Sequence, residues 1–206
     1  YKSVRDFTDK DRISMPGAGQ SMQTLYLQIA VAKEYGIAEY KKLNPILVNL
    51  SHPDGLAALL SGNEITAAFS SPPFQYTALE RGMHKVLNSY DIMGGPASFL
   101  AVWSTAKFRD ENPKAYKAVV DAFREATDLI NNNRPRAAEI YVVDVGGKEK
   151  VEDVEKQLAD PEFIFKAAPQ KLIKLTDFMH AAGAIKSKPA SWKELFFPEI
   201  HDLEGD

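Results

Sequence analysis

The chain contains no cysteine among its 206 residues. This excludes disulfide bonds, thiolate metal sites and a cysteine nucleophile. The sequence also has no apolar run that approaches the roughly 18 residues a membrane-spanning helix needs. Basic residues are not in excess, because the formal net charge is −3. The composition therefore does not indicate nucleic acid or an anionic membrane surface as a partner, and a bound anion would have to be held by local dipoles and a few side chains.

Catalytic and metal-binding motifs are missing as well. The four histidines show no metal-ligand spacing such as His-x-x-x-His, and no Gly-x-Ser-x-Gly nucleophile elbow occurs. The carboxylates are scattered, and none has an evident acid or base beside it. We therefore predict no catalytic residue, no metal site and no cofactor.

The composition that is present, 45% hydrophobic and 26% charged, is typical of a soluble globular protein of one large or two small domains. Residues 1–90 alternate strand and helix patterns. The predicted strands are residues 13–15, 46–50, 65–69 and 84–88. The predicted helices are residues 20–35, 53–61 and 72–81, and a glycine follows each of them, at Gly36, Gly62 and Gly82. Three strand–helix units in succession predict an α/β fold with a parallel sheet.

The second half of the chain is predicted to be mostly helical. An apolar run with β-favouring residues covers 98–104, and Asn112 with Pro113 forms a helix start. Further helices are predicted at about 134–143, 149–158, 168–182 and 190–195. With at most one or two strands, this half lacks a sheet of its own.

The most informative stretch is the corner between the first strand and the first helix, residues 16–21. Its two glycines allow a sharp turn and a close approach to a ligand. The helix that opens near Gln20 and Ser21 presents unpaired N–H groups and the positive end of its dipole, which suits a phosphate, sulfonate or carboxylate. The corner is neither a Walker A loop, because no Gly-Lys-Ser/Thr follows, nor a dinucleotide fingerprint, because the third glycine is missing.

Two further corners follow the second and third strands, at residues 51–54 and 70–75. In each of them a serine is predicted to cap the helix: Ser51, with Asp54 at the capping-box position, and Ser71, with a proline in the first turn. In an open parallel sheet all three corners lie at the carboxyl ends of the strands, where such folds bind ligands. The alternative is that each corner is only a well-capped helix start.

Three side chains at these corners are suited to contact a ligand. Phe74 would supply an apolar wall and Gln75 an amide donor. His52 either faces a ligand or has a surface or capping role.

Several stretches together resemble the nitrate/sulfonate/taurine type of ABC-transporter substrate-binding protein. They are residues 3–17, 52–62, 69–75, 112–118, 178–185 and 188–197. The resemblance implies an α/β fold of the type II periplasmic-binding-protein kind, a two-lobed clamshell with a parallel-type sheet in lobe II. Residues 1–92 would form lobe II, and 93–206 the mostly helical C-terminal part of lobe I. The N-terminal part of lobe I would be missing, and since the chain begins at Tyr1 without a signal-peptide pattern, we expect its N-terminus to be processed, trimmed or absent.

The function implied by the resemblance is capture of a small anionic solute between two lobes, closure by hinge motion and delivery to an ABC permease in the membrane. Sulfonates, taurine and nitrate are the implied solutes. We expect a periplasmic or lipid-anchored extracytoplasmic monomer that is not an enzyme and has no nucleic-acid partner. The expected ligand-binding residues are Gly17, Ala18, Gly19, Gln20, Ser21, His52, Ser70, Ser71, Phe74, Gln75, Met93 and Gly94.

Two alternatives use the same scaffold. An enzyme resembling the thiamine-pyrimidine synthases would need a cysteine-rich motif, which this chain lacks. A LysR-like effector-binding domain would need a helix-turn-helix upstream.

Overall fold

A computed structural model describes residues 1–206. Its sheet has three parallel strands, β1 (Ile13–Met15), β2 (Leu47–Asn49) and β3 (Ala67–Ala68), in the order β2-β1-β3. Ile13 lies opposite Leu47 on one side and Ala67 on the other. Because all the strands are parallel, a helical crossover separates each from the next. The predicted α/β class with a small parallel sheet is confirmed. Strand β1 has the predicted bounds, whereas β2 and β3 are shorter than predicted.

Helices α1 (Met22–Tyr35), α2 (His52–Ser61) and α3 (Phe74–Glu80) follow the three strands in turn. Every residue of the central strand β1 is buried. Helix α1 contacts β1 where Thr24 Oγ1 donates to Met15 Sδ at 3.1 Å, and its Leu27 and Val31 are 1% and 0% exposed. This packing brings the N-terminus of α1 to the end of β1.

Residues 84–88 do not form the predicted strand; the chain there bends and enters helix α4 (Ser89–Met93). Neither of the two apolar residues in the stretch, Val86 and Leu87, is fully buried. Asn88 caps α4 by accepting the N–H of Tyr90 at 2.9 Å. The segment therefore leads into a helix and does not join the sheet.

The remaining helices are α5 (Ala106–Glu111), α6 (Pro113–Asn132), α7 (Arg134–Asp144), α8 (Val151–Leu158) and α9 (Leu172–Ala181), and short 3₁₀ turns lie at Trp192–Leu195 and Pro198–Ile200. The predicted helical content of this half is confirmed. The β-favouring run 98–104 forms no strand. Leu100 and Trp103 are 83% and 85% exposed, and no strand of the sheet pairs with the run.

The chain divides into two compact units. The first unit comprises residues 1–95 and 174–188, and the second comprises 96–173 and 189–206. The sheet belongs to the first unit. The second has a small core in which Ala137 and Ala138 pack with Val154 and Leu158. The division into lobes at residues 92 and 93 stays a prediction. No helix is both long enough and apolar enough to cross a bilayer.

Candidate functional site

The three predicted corners meet at one edge of the sheet, because parallel strands end on the same side. The backbone N–H of Gly17 donates to Asn49 Oδ1 at 2.8 Å, which ties the first corner to β2. Ser71 Oγ and His52 Nε2 lie 2.9 Å apart, which ties the third corner to the second. The candidate site is this edge, built from residues 16–23, 51–54 and 70–75.

The first corner is a tight turn whose polar groups largely satisfy one another. Gly17 and Gly19 have φ angles of 59° and 90°, a region that favours glycine. The N–H groups of Gln20 and Ser21 both donate to the carbonyl of Gly17 at 2.9 Å. The N–H of Gly19 donates to Thr24 Oγ1 at 2.9 Å. Ser21 caps α1, since its Oγ accepts the N–H of Thr24 at 3.3 Å.

Three backbone N–H groups of this corner remain without a protein acceptor: those of Ala18, Met22 and Gln23. The last two belong to the first turn of α1, where the helix offers no intrahelical partner. Of the residues predicted at this corner, Gly17 to Ser21, only Ala18 keeps its N–H free. Met22 and Gln23 were missed, although their position just after the capping Ser21 was a usable signal.

The second corner begins α2 with the predicted cap. The N–H of Asp54 donates to Ser51 Oγ at 3.3 Å, and that hydroxyl donates to Asp54 Oδ2 at 2.6 Å. The positive end of α2 therefore already faces a carboxylate of the same chain. A bound anion would be repelled there, which makes the N-terminus of α1 the better anion site.

His52, the first residue of α2, is held from two directions. Its ring stacks on Phe74, with 5.6 Å between centroids and 19° between planes, and its Nε2 pairs with Ser71. Burial lowers the pKa of His52 below its ordinary value of 6.5. His52 is therefore neutral at pH 7 and contributes hydrogen bonds rather than charge.

This pKa direction predicts a stability effect. Because the folded protein protonates His52 less readily than the unfolded chain does, the free energy of unfolding falls as pH drops from about 7 through the lowered pKa. We expect His52→Gln to flatten this dependence below about pH 7. Urea unfolding of the two proteins at a series of pH values measures it, and parallel curves would contradict it.

The third corner differs from the prediction, because Ser71 does not cap a helix with its side chain. Helix α3 begins at Phe74, two residues later than predicted, with Pro73 at the cap position. Prolines 72 and 73 have no N–H that a serine cap could accept, and the N–H of Phe74 donates to the carbonyl of Ser71 at 3.0 Å. The hydroxyl of Ser71 is thus free to pair with His52. Ser70 is half-buried beside it.

Met93 and Gly94 lie apart from the three corners in the sequence, at the end of α4. Met93 is 2% exposed and belongs to the core. Gly94 ends the helix with a φ of 76°. Lys174 Nζ donates to the carbonyl of Met93 at 2.6 Å. The side chain of Met93 is therefore not available to a ligand, and the carbonyl of Met93 and the N–H of Gly94 already have partners.

No group of three or more His, Asp or Glu side chains is placed to hold a metal ion. One arrangement resembles a nucleophile and its base, the pair Ser71 and His52. Backbone N–H groups that could stabilise an oxyanion do not follow it, because residues 72 and 73 are prolines.

Comparison with known proteins adds the family. Searches of the curated proteins and of the solved structures returned no match. The model of the NMT1-like family matches residues 8–143, about two thirds of the chain, and this range includes all three corners. The resemblance found in the sequence is thereby confirmed. The chain belongs to the NMT1-like family, the family of nitrate/sulfonate/taurine ABC substrate-binding proteins.

Proposed function

We propose that this protein is the solute-binding component of an ABC importer and that its solute is a small anion, such as a sulfonate, taurine or nitrate. One observation carries the proposal: the N–H groups of Ala18, Met22 and Gln23 lack acceptors at the N-terminus of α1. They lie at the carboxyl edge of a parallel sheet, where α/β folds bind ligands. The family membership supports the same function.

The anionic group would accept hydrogen bonds from these donors. Helix α1 has 14 residues, so its dipole adds a favourable field within the first turn. An anion held by backbone N–H groups and a helix dipole needs no side-chain cation, and this agrees with the chain's net charge of −3. The glycines at 17 and 19 keep Cβ atoms away from the path of the anion.

We further propose that the protein captures its solute between two lobes, works outside the cytoplasm as a monomer and passes the solute unchanged to a membrane permease. Most members of the NMT1-like family are binding proteins and not enzymes, which favours binding over catalysis. The NMT1-like family supports a transport role in the same way. Such a site would bind the solute and release it chemically unchanged.

The test starts from the purified protein. We expect one anion from a panel of sulfonates, nitrate, bicarbonate and aromatic acids to raise the melting temperature by several degrees, because a ligand at 100 times its Kd stabilises by about 2.7 kcal/mol. The same anion should be recovered unchanged after incubation. Mass spectrometry of ligand released from denatured protein identifies a solute that copurifies. If no anion in the panel shifted the melting temperature, the proposed function would be wrong.

A further inference from the structure

Two polar atoms at the candidate site are buried without a hydrogen-bond partner. They are Nδ1 of His52 and Oε1 of Gln75; Arg124 Nε, in the second unit, is the third such side-chain atom of the chain. Buried polar atoms in folded proteins are nearly always paired, so an orphaned one calls for an explanation. Here two orphans belong to residues of neighbouring corners, which suggests that a common partner is missing.

His52 cannot easily turn to pair its Nδ1 elsewhere. Its Nε2 is engaged by Ser71 Oγ at 2.9 Å, and its ring lies flat against Phe74. Gln75 follows Phe74 in the first turn of α3, so the aromatic contact also ties this helix turn to His52. The His52 ring is therefore held in place before any ligand arrives, and the helix turn that carries Gln75 is fixed beside it, which lowers the entropy cost of binding a ligand.

We propose that Gln75 Oε1 and His52 Nδ1 form a second polar subsite that binds a hydroxyl or amino group of the solute. The inference rests on the proposed function, in which the N-terminus of α1 holds the anionic group. The solute is then a bifunctional molecule, with an anionic group at one end and a hydrogen-bond donor at the other. Inorganic anions without a donor would fill only half of the site.

The chemistry of the two atoms selects a donor. An amide oxygen only accepts hydrogen bonds, so its partner must carry an N–H or O–H. A neutral His52 whose Nε2–H donates to Ser71 leaves Nδ1 as a second acceptor. An amino group can donate to both acceptors and a hydroxyl, with its single O–H, to one of them, whereas a methyl group or a sulfonate oxygen would leave Gln75 Oε1 unpaired.

Three sulfonates of two carbons test the subsite by calorimetric titration. Ethanesulfonate has no donor, 2-hydroxyethanesulfonate has a hydroxyl, and 2-aminoethanesulfonate has an amino group. We expect at least one of the two donor-bearing sulfonates to bind about 10-fold more tightly than ethanesulfonate. In Gln75→Met, which removes the acceptor at similar volume, the preference should shrink to about 2-fold or less. Gln157→Met, in α8 of the second unit, is the matched control and should keep it.

The outcomes separate the subsite from the anion site. Equal binding of all three sulfonates, or a preference for ethanesulfonate, overturns the subsite and leaves anion capture supported. No binding of any of the three overturns the subsite together with sulfonate as the solute class. If Gln157→Met also lost the preference for donor-bearing sulfonates over ethanesulfonate, the assignment of the subsite to Gln75 would be wrong.

A ligand-free measurement provides a readout that does not depend on any sulfonate. Because Gln75→Met removes a buried acceptor that has no partner, its melting temperature should equal or exceed that of the wild type. A melting temperature clearly below the wild-type value would show that Gln75 Oε1 already has a partner within the protein, and this would overturn the proposal.

Discussion

Replacing Gly55 with alanine is expected to lower the free energy of unfolding by about 1–2 kcal/mol, the balance of overpacking against the better helix propensity of alanine. Gly55 is in the first half of α2, where the helix lies against β1. An added Cβ would lie 2.8 Å from Ser14 Oγ, closer than unbonded atoms tolerate. Ser14 is 1% exposed, so its hydroxyl has little room to move. Urea unfolding of the wild type and the variant measures the loss.

The matched control removes the oxygen that the new methyl group would meet. In a Ser14→Ala background the nearest remaining atom is the Cβ of residue 14, at 3.6 Å, which is an ordinary contact. Gly55→Ala should then be neutral, or stabilising by up to about 1 kcal/mol, because alanine favours the helix. If the penalty persisted in that background, contact with Ser14 would not be its cause.

Most of the first unit's elements were predictable because their signals are local. A capping serine before the helix and a glycine after it mark both ends of α1 and of α2 to within a few residues. Helix α2 also has a proline in its first turn. The predicted strand 84–88 was wrong, and the β-favouring run 98–104 forms no strand, for the same non-local reason. β-favouring residues become a strand only where another strand offers its N–H and C=O groups, and no local pattern tells whether it does.

The location of the candidate site could be predicted from the sequence, but its hydrogen bonds could not. The corner at residues 16–21 stands out in the sequence, yet the turn uses the N–H groups of Gly17 and Gly19 internally. Only the folded turn shows that Ala18 is the free donor of the loop, whereas the free donors in the first turn of α1 follow from the cap at Ser21. The pairing of His52 with Ser71 was also hidden, because it depends on how α2 and α3 pack over the sheet.

Replacing Ser21 with aspartate is expected to weaken anion binding by about 100-fold or more. The introduced carboxylate would lie at the N-terminus of α1 beside the free N–H groups of Met22 and Gln23. Two like charges about 4 Å apart at an effective dielectric near 20 repel by about 4 kcal/mol, which is enough to account for this loss. Calorimetry with the anion that gives the wild type its largest thermal shift measures the effect.

Ser21→Asn separates charge from capping. Asparagine, aspartate and serine cap helices about equally well, so both variants should fold and melt close to the wild type. The aspartate variant should be the more stable of the two, because its charge favours the helix dipole. Binding by the asparagine variant should stay within a few fold of the wild type. Equal affinity of the two variants would place the anion elsewhere, whereas a loss confined to aspartate requires the anion to lie within reach of the first turn of α1.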